Sequence, residues 1–207
     1  MLDPGVAGFV LEALPPAPAR VLEVGAGEGQ LAVALDRAGY DVVAIDPAAK
    51  SEPVRPVALH ELSEPPESFD AAVAVVSLHH VEPLEDSCRR LAEVLRYEGT
   101  LVLDEIDVAR FDERAAEWWI EQRGPHGHDP GRPEEIVAWM RRHLHRLDAM
   151  QAALEPWFAL GPAVRGPYLY RWELSPALRG AEEELVAAGR LPAVGVRIVG
   201  TRRPGRA

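Results

Sequence analysis

The chain has 207 residues, 47% of them apolar, with 33 acidic against 22 basic side chains and a formal charge of −11. That length and apolar content suit one core and a single domain over residues 1–207, and the acidity argues against nucleic acid as a partner. A single cysteine excludes an internal disulfide framework and fits the cytoplasm, and no apolar run is long enough to cross a bilayer, so no membrane partner is expected. The charge is uneven: residues 1–104 carry 18 acidic and 7 basic side chains, the remainder 15 of each.

Residues 1–19 are mildly apolar, contain Asp3 and Glu12, and lack a positive leading region, which predicts a short helix before the first strand instead of a signal peptide. An apolar strand at 21–24 then meets Gly25-Ala26-Gly27-Glu28-Gly29-Gln30, a tight loop opening into a helix that runs to about Ala38, with Gly39 as a left-handed cap. Three alternating glycines let a ligand press against bare backbone. A dinucleotide fingerprint would need its third glycine at position 30; Gln30 stands there and Gly29 comes one place early, which disfavours NAD and FAD. The strand at 41–45 ends on Asp46-Pro47, and a carboxylate at that distance past the loop suits the two ribose hydroxyls of an adenosine ligand.

A third strand near 54–59 runs into His60-Glu61-Leu62. A fourth, from Ser68-Phe69-Asp70 through Val76, ends at Ser77-Leu78-His79-His80-Val81. A helix over 84–96 carries Cys88 on its apolar face, which reads as a buried structural thiol, and a fifth strand ends at Asp104-Glu105.

The Glu23-x-Gly25-x-Gly27-x-Gly29 loop resembles the first motif of the class I S-adenosylmethionine-dependent methyltransferases. Residues 68–81 resemble that superfamily's fourth-strand motif, in the form carried by the ubiquinone/menaquinone biosynthesis type methyltransferases. Residues 95–105 resemble its turn and fifth strand, with Tyr97 where proline is usual. The matches run in order over residues 20–105. The resemblance implies an α/β doubly wound, Rossmann-like sheet, mostly parallel with an antiparallel last strand and helices on both faces. It implies S-adenosylmethionine as cofactor, S-adenosylhomocysteine as product, and a cofactor site made from Glu23, Gly25, Ala26, Gly27, Gly29, Asp46, Pro47, His60, Glu61, Leu62, Ser77 and Leu78. The family usually places an acid after strand three to reach the adenine amino group; here Glu61 or the neighbouring backbone is the substitute. The activity implied is methyl transfer to a small-molecule acceptor. A protein or RNA acceptor is the alternative, against which stands the absence of an Asn/Asp-Pro-Pro-Tyr/Phe tetrapeptide after strand four; a SAM-binding protein without transferase activity is the third reading.

In the second half, residues 111–122 are predicted to form an amphipathic helix and 123–132 a Gly/Pro/His loop. One long helix is expected from Pro133 to about Ala153, its apolar face formed by Ile136, Met140, Leu144 and Leu147. Strands near 167–174 and 193–201 flank a helix over 181–188. The span 105–165 is aromatic and starts at the carboxyl edge of the sheet, which makes it the expected acceptor cap, with Trp118, Trp119 and Trp139 as lining. If the acceptor must lose a proton, the candidate bases are His80 first, then His79, His126 and His128; the alternative for the His79-His80 pair is packing and loop ordering beside the cofactor. His126-Gly127-His128-Asp129 has no partner spaced to complete a metal shell, so no metal is assigned and the segment reads as a lid loop. His143 lies near the apolar helix face and is expected to pack inside, His145 to face solvent.

Overall fold

Strands with apolar side chains on both faces must be covered on both sides, and the chain supplies helices for each. The computed structural model describes residues 3–124 and 131–204. Helix α1 (Pro4–Ala13) starts where the Asp3 carboxylate accepts the Val6 N–H at 3.0 Å. Strand β1 (Arg20–Val24), helix α2 (Gln30–Arg37), strand β2 (Asp41–Ile45) and the two-residue β3 (Val54–Arg55) follow, then β4 (Phe69–Val75), α3 (Leu84–Val94) and β5 (Leu95–Ile106). These five strands pair in parallel in the order β3-β2-β1-β4-β5. The order reverses between β1 and β4, the switch point at which ligands of such sheets bind.

On one face, Val6 and Val10 of α1 and Leu31 and Leu35 of α2 cover Val21, Val73 and Val102. On the other, Leu91 of α3 meets Leu22, Ala72 and Leu101. Cys88 is fully buried on this second face, and burial pushes its thiol up to about 12.

Beyond β5 come α4 (Glu113–Arg123), α5 (Pro133–His143), α6 (Leu147–Leu154), the short β6 (Phe158–Leu160) and β7 (Val164–Gly166), α7 (Arg179–Ala187) and β8 (Gly195–Arg202). Strand β8 is antiparallel to β5, as expected for the last strand, and β6 and β7 both pair with its other side. Three expectations need correction. The helix from Pro133 is two helices: between them the His145 N–H leaves the helical pattern to donate to the His79 carbonyl at 2.9 Å, which anchors the break. Residues 167–174 form no strand, because the N–H groups of Tyr168, Leu169 and Tyr170 all donate to the buried Glu182 carboxylate at 2.7–2.9 Å and are withdrawn from any ladder. The histidine assignments reverse: His143 is exposed and stacks on the half-exposed Trp139 with ring centroids 4.9 Å apart, while His145 is half-buried.

The span 105–165 also divides. Helix α6 packs on the α3 face of the sheet through Leu147, Met150 and Leu154. Helices α4 and α5 instead join a separate apolar cluster at the carboxyl end of β5, in which Trp118 and Met140 share a core with Ile106, Phe111, Leu169 and Val194.

Candidate functional site

At the switch point lies a cavity of about 470 Å³ whose wall includes Gly25, Asp46, Pro47, Val57, Ser77 and His80. One side is the glycine loop. The N–H groups of Gly25 and Ala26 donate to the Ile45 carbonyl at 2.8 and 3.0 Å, folding the loop back over β2. Gly25 sits at φ +68°, and a β-carbon there would fall 2.2 Å from the Ser77 Cβ, so the loop and the turn after β4 touch across the missing side chain. At Gly27, φ +55°, a β-carbon would meet no described atom within 4 Å. Gly29, φ +75°, caps α2, and a β-carbon there would press on Val54 at 2.9 Å; its absence lets β3 pack close.

Asp46 ends β2 at the cavity wall. Its carboxylate accepts the Gly27 N–H at 3.0 Å and the Ala48 N–H at 2.8 Å, so it fixes the loop and still has lone pairs for ligand hydroxyls. Replacing Asp46 with alanine is expected to weaken S-adenosylhomocysteine binding by about 1.5–3 kcal/mol through the loss of charge-assisted hydrogen bonds. Calorimetry with an unchanged affinity would place the ribose contact elsewhere.

Glu23 lies beneath the loop and not on the cavity wall. It is 4% exposed, one carboxyl oxygen has no partner among the described residues, and burial pushes its carboxyl up to about 8 from an ordinary 4.5, against the opposing Ala32 N–H. Between those values the folded chain holds a proton that the unfolded chain has lost, so the contribution of Glu23 to stability falls as pH rises from 4.5 to about 8, by about 1.4 kcal/mol per pH unit. Glu23→Gln is therefore expected to flatten the decline in stability over that window relative to the parent. Denaturation series giving parallel pH profiles for the two proteins would exclude this.

The opposite wall is the turn after β4. Val76 sits at φ +52°, unusual for a β-branched residue, and is held there by its N–H to the Asp104 carbonyl at 2.7 Å. The Ser77 hydroxyl donates to the Val24 carbonyl at 2.7 Å, which ties the turn to the end of β1. The Ser77 and Leu78 N–H groups donate to Glu105 Oε1 at 2.9 and 2.6 Å, and His79 Nδ1 lies 2.6 Å from Glu105 Oε2. Glu105 is 1% exposed and organises the whole turn. Its signal in the sequence is the Asp104-Glu105 pair that closes an apolar strand.

The two histidines part company. His79 is buried on Glu105, which matches a packing and loop-ordering role. His80 lies on the cavity wall and is exposed, 4.3 Å from the His79 ring between centroids. Partial burial, then His79 and His145, hold its imidazole below the usual histidine range against the pull of Glu105, which favours the neutral, proton-accepting form. His145 Nε2 lies 3.1 Å from the Val81 carbonyl and 3.1 Å from Glu82, so the α5–α6 break docks on the same turn.

After β3 the cavity wall is Val57, Ala58 and Leu59, which is the backbone neighbouring Glu61 and not Glu61 itself. His60 and Glu61 are exposed on the turn that follows, outside that wall, and Leu62 is buried in the core. Backbone and apolar side chains, not a carboxylate, face the cavity there. His126 and His128 lie outside the described residues. Trp118 is buried in the α4–α5 cluster, and Trp119 stacks on Trp172 with centroids 4.5 Å apart; with Trp139 these two border a second cavity of about 460 Å³ that shares no residue with the first.

A bare-backbone loop, a carboxylate at the end of β2 and a cavity of about 470 Å³ at the switch point fit S-adenosylmethionine, whose adenosine needs a hydroxyl acceptor and a close backbone approach. Fold and site together define a class I S-adenosylmethionine-dependent methyltransferase. Residues 3–143 match the methyltransferase domain family, and the chain belongs to it. It is 33% identical over 184 residues to the ubiquinone biosynthesis O-methyltransferase of Xylella fastidiosa, covering 75% of this chain and 73% of that one. To the protein of the same name from Xanthomonas campestris it is 32% identical over 164 residues, covering 67% and 68%. Among solved structures, an S-adenosylmethionine-dependent methyltransferase from Mesorhizobium loti superposes with a TM-score of 0.60 at 18% identity, over 93% of this chain and 95% of that one. The 1,6-didemethyltoxoflavin-N1-methyltransferase of Burkholderia thailandensis, solved with 1,6-didemethyltoxoflavin and S-adenosylhomocysteine, does so with 0.56 at 16% identity, over 97% and 76%.

Proposed function

We propose that this methyltransferase acts on a hydroxyl group of a small-molecule acceptor, bound at the mouth of the first cavity beside Val76, with His80 taking the acceptor's proton. The carrying observation is the position of His80, on the wall of the same cavity that Gly25 and Asp46 line, with partial burial shifting its imidazole toward the neutral form. Oxygen as the methylated atom rests on the name of the Xylella and Xanthomonas relatives. A small acceptor also agrees with the acidity of the first half, which repels nucleic-acid backbones.

Bound in this cavity, the cofactor's sulfonium supplies an activated methyl group. Gly25, Ala26 and Asp46 would hold the cofactor, with Ser77 closing the opposite wall. His80 receives the proton that a hydroxyl must shed to become a competent nucleophile. Val76 lines the cavity and packs against the α4–α5 cluster, and this contact supports α4 and α5 as the acceptor cap that would keep water from the site. The cap thereby narrows from 105–165 to α4 and α5. We further infer a cytoplasmic location, supported by a lone buried thiol; no described helix is long and apolar enough to cross a membrane.

The test is cofactor turnover against a panel of hydroxyl-bearing metabolites, followed by His80→Ala on the best acceptor. The variant is expected to lose about 10²–10⁴-fold in kcat while its S-adenosylhomocysteine affinity stays within about threefold. Turnover confined to RNA or protein acceptors would sink the small-molecule reading, and full kcat in the variant would return His80 to a packing role.

A further inference from the structure

Four arginines converge on a cavity that the methyl-transfer site does not use. It lies where β5, β7, β8 and the start of α7 meet, encloses about 100 Å³, and is lined by Arg165, Arg171, Arg179, Arg197, Asp104 and Tyr170 among others. In a chain of net charge −11 such a concentration of guanidinium groups is unexpected.

Carboxylates answer part of the charge. Asp104, 1% exposed, pairs one oxygen with Arg171 and the other with Arg197 at 2.8 Å. Arg165 pairs with Asp107 at 2.9 Å and Arg179 with Glu183 at 2.8 Å. Asp3, which caps α1, and Glu182, which is spent on three backbone N–H groups, are also close by. The donors nevertheless outrun the acceptors, since each guanidinium carries five N–H groups. Among the described residues the Arg165 and Arg179 guanidiniums make one hydrogen bond each, and the Nε of Arg171 is buried with no acceptor at all. The spare N–H groups that bear on an anion are therefore those of Arg165 and Arg179, both on the wall of a cavity sized for a single oxyanion.

We propose that this cavity is an oxyanion subsite, taking one carboxylate, phosphate or sulfate group. It neighbours the methyl-transfer cavity across one strand: the Asp104 carbonyl accepts the N–H of Val76, which lines that cavity. The anion is therefore either a free small oxyanion or the acidic end of a ligand in the neighbouring cavity, the cofactor's own carboxylate included. The chemistry of recognition is the same, forked N–H groups against paired oxygens.

The test titrates inorganic phosphate into the full chain by calorimetry and thermal shift, at constant ionic strength with chloride as control, with and without saturating S-adenosylhomocysteine. Saturable binding at about millimolar affinity is expected. It should weaken about tenfold or more in the double variant Arg165→Gln/Arg179→Gln and in Arg171→Lys, which keeps the charge facing Asp104 and removes the planar fork from the cavity wall. Binding unaffected by S-adenosylhomocysteine identifies a separate anion, and competition identifies the acidic end of the cofactor; either upholds the subsite. A phosphate response no larger than that of chloride, or one that survives unchanged in both folded variants, overturns it.

Discussion

Gly25→Ala is expected to cost at least about 100-fold in S-adenosylhomocysteine affinity, roughly 3 kcal/mol. Two separate penalties combine at this position. The residue sits at φ +68°, where a β-carbon costs about 1–2 kcal/mol. That carbon would also stand 2.2 Å from the Ser77 Cβ and 2.9 Å from its hydroxyl oxygen, and Ser77 cannot swing away because its hydroxyl is bound to the Val24 carbonyl and its N–H to Glu105. Relief must come from backbone, by parting the glycine loop from the turn after β4, which are the two walls that hold the cofactor. Gly8→Ala in α1 is the control: its β-carbon would meet no described atom within 4 Å, so affinity should be unchanged. Calorimetry that finds parental affinity in Gly25→Ala would show that the contact between these walls does not shape the site.

Glu105→Gln is expected to destabilise the fold by about 3 kcal/mol and to weaken cofactor binding as well. The carboxylate accepts the Ser77 and Leu78 N–H groups on one oxygen and contacts His79 Nδ1 with the other, all within a buried pocket. An amide keeps one oxygen for the two N–H groups but turns an NH₂ toward His79 Nδ1, so the charge-assisted bonds are lost and the imidazole must take its other tautomer or face the NH₂ as an opposed donor. Because the same carboxylate holds the turn that bears His80, the loss should also appear as a lower kcat, which a remote core defect of equal size would not produce. Urea denaturation within about 0.5 kcal/mol of the parent, together with unchanged turnover, would remove Glu105 as the organiser of the turn.

The first half of the fold was legible because its signals are local. The glycine loop, the apolar strands and Asp46 each declare themselves within a few residues, and the structure places the loop and the β2 carboxylate around one cavity. The second half misleads for an equally physical reason. Leu144 and Leu147 continue the apolar stripe of α5, so periodicity runs a helix through a break that is made by a hydrogen bond to His79, far away in sequence. Residues 167–174 have the aromatic content of a strand, yet Glu182 takes their N–H groups. Glu105 escaped notice because its partners come together only once β4 and β5 pair. In each case the deciding contact joins segments that no window along the chain contains.

The outer strands of the sheet bear on how copies of the protein meet in a crowded solution. One margin is β3, two residues long, and the other is shared between β6 and β7, three residues each, separated where Gly161 donates its N–H to the Val199 carbonyl. An eight-stranded sheet with long bare margins would template pairing with any extended chain nearby. Here each margin offers too few consecutive free backbone groups to seed such a ladder, and Arg55 and Arg165 add charge on two of the three short strands. The brevity of these strands is a barrier to sheet-to-sheet aggregation, independent of the chemistry at the centre of the molecule.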